Sequence, residues 1–278
     1  PTNADAAYDI ATHPAFAAGG GASRLAILIG WDSTDYTNTG SGNTPAGPIS
    51  LNPLFGGATD NGDGTFTESA AALGIDDATQ SFSCGWADFD NDGDIDLFIG
   101  KRSVPGIFGI NPKHQLLEND GKGSFKDVTD AKAYILNDLG MITDATWEDT
   151  NADGKKDLIL TGDWMAPKIL QNNGNSFNLA DSNLNEFSGA WTGLSVSDIN
   201  GDENPDFILG NRGTNLFYQT SAENPVKVYI NDFDNNGTIE QIFTRNIDGR
   251  DIPIHLRREL AGQISAIKKQ NLKFSEYT

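Results

Sequence analysis

The stretch Trp86-Ala87-Asp88-Phe89-Asp90-Asn91-Asp92-Gly93-Asp94-Ile95-Asp96-Leu97-Phe98-Ile99-Gly100 sets five aspartates at alternate positions of one nine-residue segment. Asp88, Asp90 and Asp92 take positions 1, 3 and 5, Asp94 position 7 and Asp96 position 9. Gly93 stands at position 6, where the chain must turn sharply. Five carboxylates this close repel one another unless a cation shares them. A hard Ca²⁺ ion takes about six to eight oxygens in flexible geometry, and this spacing supplies them from one compact loop, position 7 through its carbonyl.

Three more segments repeat the pattern. One holds Asp149, Asn151, Asp153, Gly154, Lys155 and Asp157, Lys155 offering only its carbonyl. The next holds Asp198, Asn200, Asp202, Asn204 and Asp206. There Glu203 replaces the turn glycine and must adopt a backbone conformation that glycine takes easily. The last holds Asp232, Asp234, Asn236, Gly237, Thr238 and Glu240. Upstream of each loop apolar residues alternate: Cys84 and Trp86, Ala145 and Trp147, Leu194 and Val196, Val228 and Ile230. That period predicts strands, as do the short apolar runs downstream. An EF-hand needs flanking helices and a glutamate at position 12. Here position 12 is Ile99, Leu160, Leu209 or Phe243.

A second element recurs. Leu116 to Phe125, Ile169 to Phe177 and Thr59 to Phe66 each read as strand, tight turn, strand, with Asn-Gly or Asp-Gly supplying positive φ. The predicted unit is strand, acidic loop, strand and hairpin. A four-stranded unit in series predicts an all-β chain built as a β-propeller.

Composition narrows the function. The 278 residues carry a formal charge of −20, with 30 Asp against 9 Glu. So acidic a surface repels nucleic acid and anionic membranes, and no apolar run is long enough to span a bilayer. Pro1 opens without a charged or apolar leader, so any secretion signal is expected to have been removed. One cysteine, Cys84, leaves no internal disulfide and reads as a buried thiol. Residues 1–53 are expected to form a divergent segment with a degenerate blade around Leu25 to Gly30, residues 54–250 the repeats, and residues 251–278 a helical extension from about Pro253 to Gln270. Trp86 and Trp147 are expected in the core, and Trp31 and Trp164 are candidate glycan-stacking rings.

The Asp-x-Asp-x-Asp-Gly-x-x-Asp-Leu pattern resembles the FG-GAP/VCBS repeats of integrin α-subunit propellers and cartilage acidic protein-like secreted proteins. Together with Leu116 to Phe125 it is similar to large bacterial surface VCBS-repeat proteins. The resemblance implies propeller blades with Ca²⁺ in the loops, an extracellular, cell-surface or periplasmic location, and a chain that is part of a longer protein. About four Ca²⁺ ions are expected, with a structural role. The function expected is non-catalytic binding of an extracellular protein or glycan. The alternatives are the propeller of a polysaccharide lyase or hydrolase, and a spacer in a large surface protein. The sequence holds no Gly-x-Ser-x-Gly elbow, phosphate-binding loop or His-Glu-x-x-His motif.

Overall fold

In the computed structural model, which describes residues 25–29, 55–60, 66–75, 81–216, 220–221, 223–264 and 267, every acidic loop joins two antiparallel strands. The protein is mostly β-sheet with few helices, in agreement with the all-β expectation. Strands β1 (Leu25–Ile29), β2 (Phe55–Asp60) and β3 (Phe66–Glu68) form one meander, followed by a single helical turn, α1 (Ala70–Leu73). Strands β4 (Ser81–Ala87), β5 (Asp96–Lys101), β6 (Gln115–Asn119) and β7 (Phe125–Asp127) form the first four-stranded meander. The turn α2 (Thr129–Lys132) leads to the second, made of β8 (Met141–Glu148), β9 (Asp157–Met165), β10 (Lys168–Asn172) and β11 (Phe177–Leu179). Next come β12 (Gly189–Ser197) with β13 (Asp206–Asn211), and then β14 (Val226–Asn231), β15 (Glu240–Ile247) and β16 (Arg250–Pro253).

The four loops share one register. Their flanking ladders close on the pairs Ala87–Asp96, Glu148–Asp157, Ser197–Asp206 and Asn231–Glu240. Position 9 is therefore the first strand residue, buried at Asp96, Asp157 and Glu240 and half-buried at Asp206. Three upstream strands also shift register at Phe82, Thr143 and Thr192, each six positions before its loop's first aspartate. A bulge there bends the strand at the same height in each unit.

Each downstream strand of the two full meanders is buried on both faces, and its alternation sends neighbours into different cores. Leu97 and Ile99 pack with Leu117, Phe125, Ala70 and Ile75. Phe98 faces the other way, into a core shared with Ile142, Trp147, Leu158 and Leu160 of the second meander. Ile159 points on to Ile169, Ala180, Leu194 and Phe207, toward β12 and β13. The first and second meanders thus stack face to face, and β12 is also bonded edge-on to β9 at Gly189–Met165 and Ala190–Asp163, so that β8–β13 form one six-stranded sheet. The close approach of the two meanders needs small residues: a Cβ on Gly85 would lie 2.9 Å from Trp147 Nε1.

Several expectations are corrected. Trp147 is buried, but Trp86 is half-buried beside Phe125, because in β4 it is Ser81, Ser83 and Gly85 that face the second meander. Among the described residues no hairpin follows the third loop: a 3₁₀ turn at Gly213–Asn215 comes after β13, and β13 pairs with β12 alone. The C-terminal helix begins later than expected: α3 spans Arg257–Gln263 and Ile264 is extended (φ −109°, ψ 98°), while residues 265–266 and 268–278 of the expected helical extension lie outside the described residues. Trp31 and most of residues 1–53 lie outside the described residues.

Candidate metal centre

Four hydrogen bonds recur in all four loops. The position-1 carboxylate accepts from the backbone N–H groups of positions 5 and 6: Asp88 from Asp92 and Gly93, Asp149 from Asp153 and Gly154, Asp198 from Asp202 and Glu203, and Asp232 from Asn236 and Gly237, all at 2.8–3.2 Å. The position-5 side chain accepts from the N–H of position 7 in each loop. The position-9 carboxylate accepts from the N–H of position 2, that is from Phe89, Thr150, Ile199 and Phe233. Each loop is therefore coiled around its own carboxylates, oxygens inward, by local turn bonds.

Positions 4 and 6 carry the coil through left-handed backbone. Position 6 has φ +99° at Gly93, +82° at Gly154 and +86° at Gly237, and Glu203 takes +67°, as its place in the pattern demands. Position 4, which the sequence reading passed over, is also left-handed: Asn91, Ala152, Gly201 and Asn235 lie at φ +57° to +79°.

Convergence differs among the loops. Carboxylate oxygens of Asp88, Asp90 and Asp96 lie within 4.8 Å of one another, and so do those of Asp232, Asp234 and Glu240. Loops 149–157 and 198–206 carry asparagine at position 3 (Asn151, Asn200), and among the described residues they bring no such trio together. In the first loop Asp90 Oδ1 and Asp94 Oδ1 are buried with no hydrogen-bond partner. Burial raises the Asp96 pKa to about 6 against two backbone hydrogen bonds, with Asp90 and Asp94 adding to the rise. Asp94 is raised too, by desolvation and then by Asp92, Asp90, Asp88 and Asp120. Asp153, Asp198 and Asp202 are instead lowered, chiefly by backbone N–H donors. The first loop therefore holds negative charge that its own donors do not balance. Three carboxylates converging on one point, with an orphaned hard oxygen on Asp90, suit a hard divalent cation.

Groups outside the loops hold them in place, and the sequence reading missed these. Asn119 donates its backbone N–H to Asp96 Oδ1 (2.9 Å) and its side chain to the Ile95 carbonyl (3.0 Å). Asn172 repeats this with Asp157 Oδ1 (2.8 Å) and the Lys156 carbonyl (3.2 Å), and also reaches Phe89 O in the first loop at 2.6 Å. Both asparagines stand at the start of the repeated hairpin turn, so aligning the turns on the loops would have flagged them. Lys132 Nζ lies 3.1 Å from Asp90 Oδ2 and 2.6 Å from Glu118 Oε2. Lys155, expected to act through its carbonyl, also sets its ammonium 3.2 Å from Asp153 Oδ2.

Other candidates resolve differently. Burial, then Asp144, pushes the Cys84 thiol up to about 11, so it stays protonated. Trp164 is half-buried, with φ +60°, and packs on Phe108 and Phe243 rather than standing free. Trp191 is half-buried and donates to Phe187 O at 3.0 Å. A search of curated proteins finds no match to the chain. The family model of the FG-GAP-like repeat matches residues 149–209, from the first aspartate of the second loop into β13, so this segment is similar to repeats of the FG-GAP/VCBS type.

Proposed function

We propose that the chain is a calcium-stabilised, non-catalytic β-propeller module that binds a protein or glycan outside the cell. The observation that carries this is the trio Asp88, Asp90 and Asp96, held by strands and accompanied by the orphaned oxygens of Asp90 and Asp94. The face-to-face stacking of the two four-stranded meanders supports a propeller, the FG-GAP-like repeat supports an adhesion-type module, and no helix of the described residues is long and apolar enough to cross a membrane.

The residues that would hold calcium are the side chains at positions 1, 3, 5 and 9 and the carbonyl at position 7 of each loop. When bound, the ion supplies charge neutralisation and a cross-link between the strands at either end of a loop. About four ions, two charges each, would take the formal charge from −20 to −12. With free calcium at about 20 times Kd each site adds about 1.8 kcal/mol, and four add about 7. A protein of this size should then melt on the order of 15 °C higher in millimolar calcium than in EDTA. Identical melting curves would contradict the metal reading. Binding on arrays of glycans and extracellular proteins, present in calcium and lost in EDTA, is the result expected for the recognition role; silence on both arrays would contradict it.

A further inference from the structure

Lys132 ends α2, 42 residues beyond Asp90 in sequence, yet its ammonium is fixed at the first acidic loop by three contacts. It lies 3.1 Å from Asp90 Oδ2, 2.6 Å from Glu118 Oε2 and 5.0 Å from the Phe89 ring centroid. Phe89 is itself buried, stacked on Trp147 at 5.9 Å, so the ring under the ammonium is a rigid floor. Asp90 consequently faces two ways. One oxygen is bound to the lysine, the other is buried without a hydrogen bond, and the carboxylate as a whole stands in the trio with Asp88 and Asp96.

We propose that Lys132 is the built-in counter-cation of the first loop: it compensates Asp90 when the loop is free of metal, and so lowers that loop's calcium affinity. The inference rests on the calcium reading above. A carboxylate shared by two cations attracts each less than it would attract one alone, and partial burial keeps water from screening their repulsion. Lys132 thus trades affinity for a first loop that stays folded when calcium is scarce. In the opposite role, as a clamp that merely orients Asp90, removing it would weaken calcium binding instead.

Calorimetric titration of the whole chain with calcium alone separates the two roles. Lys132→Met removes the charge and keeps the apolar stem over Phe89, and Lys132→Gln is a second neutral variant should the first fold poorly. Either is expected to tighten one class of sites roughly tenfold, to lower the melting temperature in EDTA, and to leave the melting temperature in saturating calcium nearly unchanged. Lys132→Arg should behave as wild type. In an Asp88→Asn background, which disables the first loop, the gain in affinity should vanish. Unchanged or weaker calcium binding in both neutral variants would overturn the proposal while leaving the calcium reading standing. A wild-type chain that takes up no calcium would overturn both.

Discussion

Eight backbone positions, two in each acidic loop, sit in left-handed conformation, and only some of them are glycine. An L-residue there carries about 1–2 kcal/mol of strain. Replacing Glu203 by glycine should relieve it and stabilise the protein by roughly 0.5–1 kcal/mol, the gain being trimmed by the added freedom of the unfolded chain. Gly154→Ala should do the reverse, at about 1 kcal/mol. A Cβ at Gly154 would meet nothing within 4 Å, so its effect is purely a backbone one. Urea denaturation of both variants in EDTA checks this, and equal midpoints for Glu203→Gly and wild type would count against it.

His114 carries a second residue-scale prediction. Its ring is buried, Nδ1 accepts from the Lys101 N–H at 3.1 Å, and Nε2–H donates to the Gly140 carbonyl at 3.1 Å. Only the neutral ring can make both bonds. Burial, opposed by the Gly140 bond and aided by Lys101, depresses its pKa from 6.5 to about 4. A histidine held neutral contributes stability that is complete above pH ~6.5 and is lost as pH falls toward 4, by up to about 3 kcal/mol. His114→Gln should flatten the stability profile over that window relative to wild type, measured in EDTA so that metal occupancy stays constant. Parallel profiles would contradict the assignment.

At the scale of elements, the unit is a strand pair with an eight-residue bridge, tied to the next hairpin by an asparagine. Asn172 is almost fully buried and serves Asp157, Lys156, Phe89 and Gly174 at once. Asn172→Ala keeps its backbone bond to Asp157 but strands the Phe89 carbonyl, and should lower stability by about 2–3 kcal/mol. Asn119→Ala, at a half-buried position, should cost about 1 kcal/mol. Equal losses in chemical denaturation would argue against a link between meanders through Asn172. The acidic loops, their flanking strands, the hairpins and the strain at Glu203 were legible in the sequence, because each is written in local spacing and turn chemistry. The asparagine ties were not, since Asn ahead of Asp-Gly or Asn-Gly reads only as part of a turn. Lys132 was hidden by sequence distance. The register shifts at Phe82, Thr143 and Thr192 were hidden because a bulge leaves the apolar period on either side intact. The hairpin expected after β13 is not found among the described residues, where a 3₁₀ turn stands instead, although the residues between Asn211 and Val226 are no fewer than those from Lys168 to Leu179 that hold β10, its turn and β11.

For the molecule as a whole, fourteen acidic side chains at positions 1, 3, 5, 7 and 9 of the four loops, with Glu203 besides, contribute most of a net charge of −20. The two complete meanders share a buried core, whereas Ile199 in the third loop and Ile208 in β13 are more than half exposed. Stability gained from metal should therefore be spread unevenly: Asp88→Asn should lower the calcium-induced rise in melting temperature more than Asp198→Asn does, because only the first of these loops joins three carboxylates at one point. The most direct measurement is an anomalous difference map from crystals grown in millimolar calcium. Peaks are expected between Asp88, Asp90 and Asp96, and between Asp232, Asp234 and Glu240, with the 149 and 198 loops filling as calcium is raised. A map with no peak at either trio, at full calcium, would contradict the central claim that strand-held aspartate turns are this protein's metal cages.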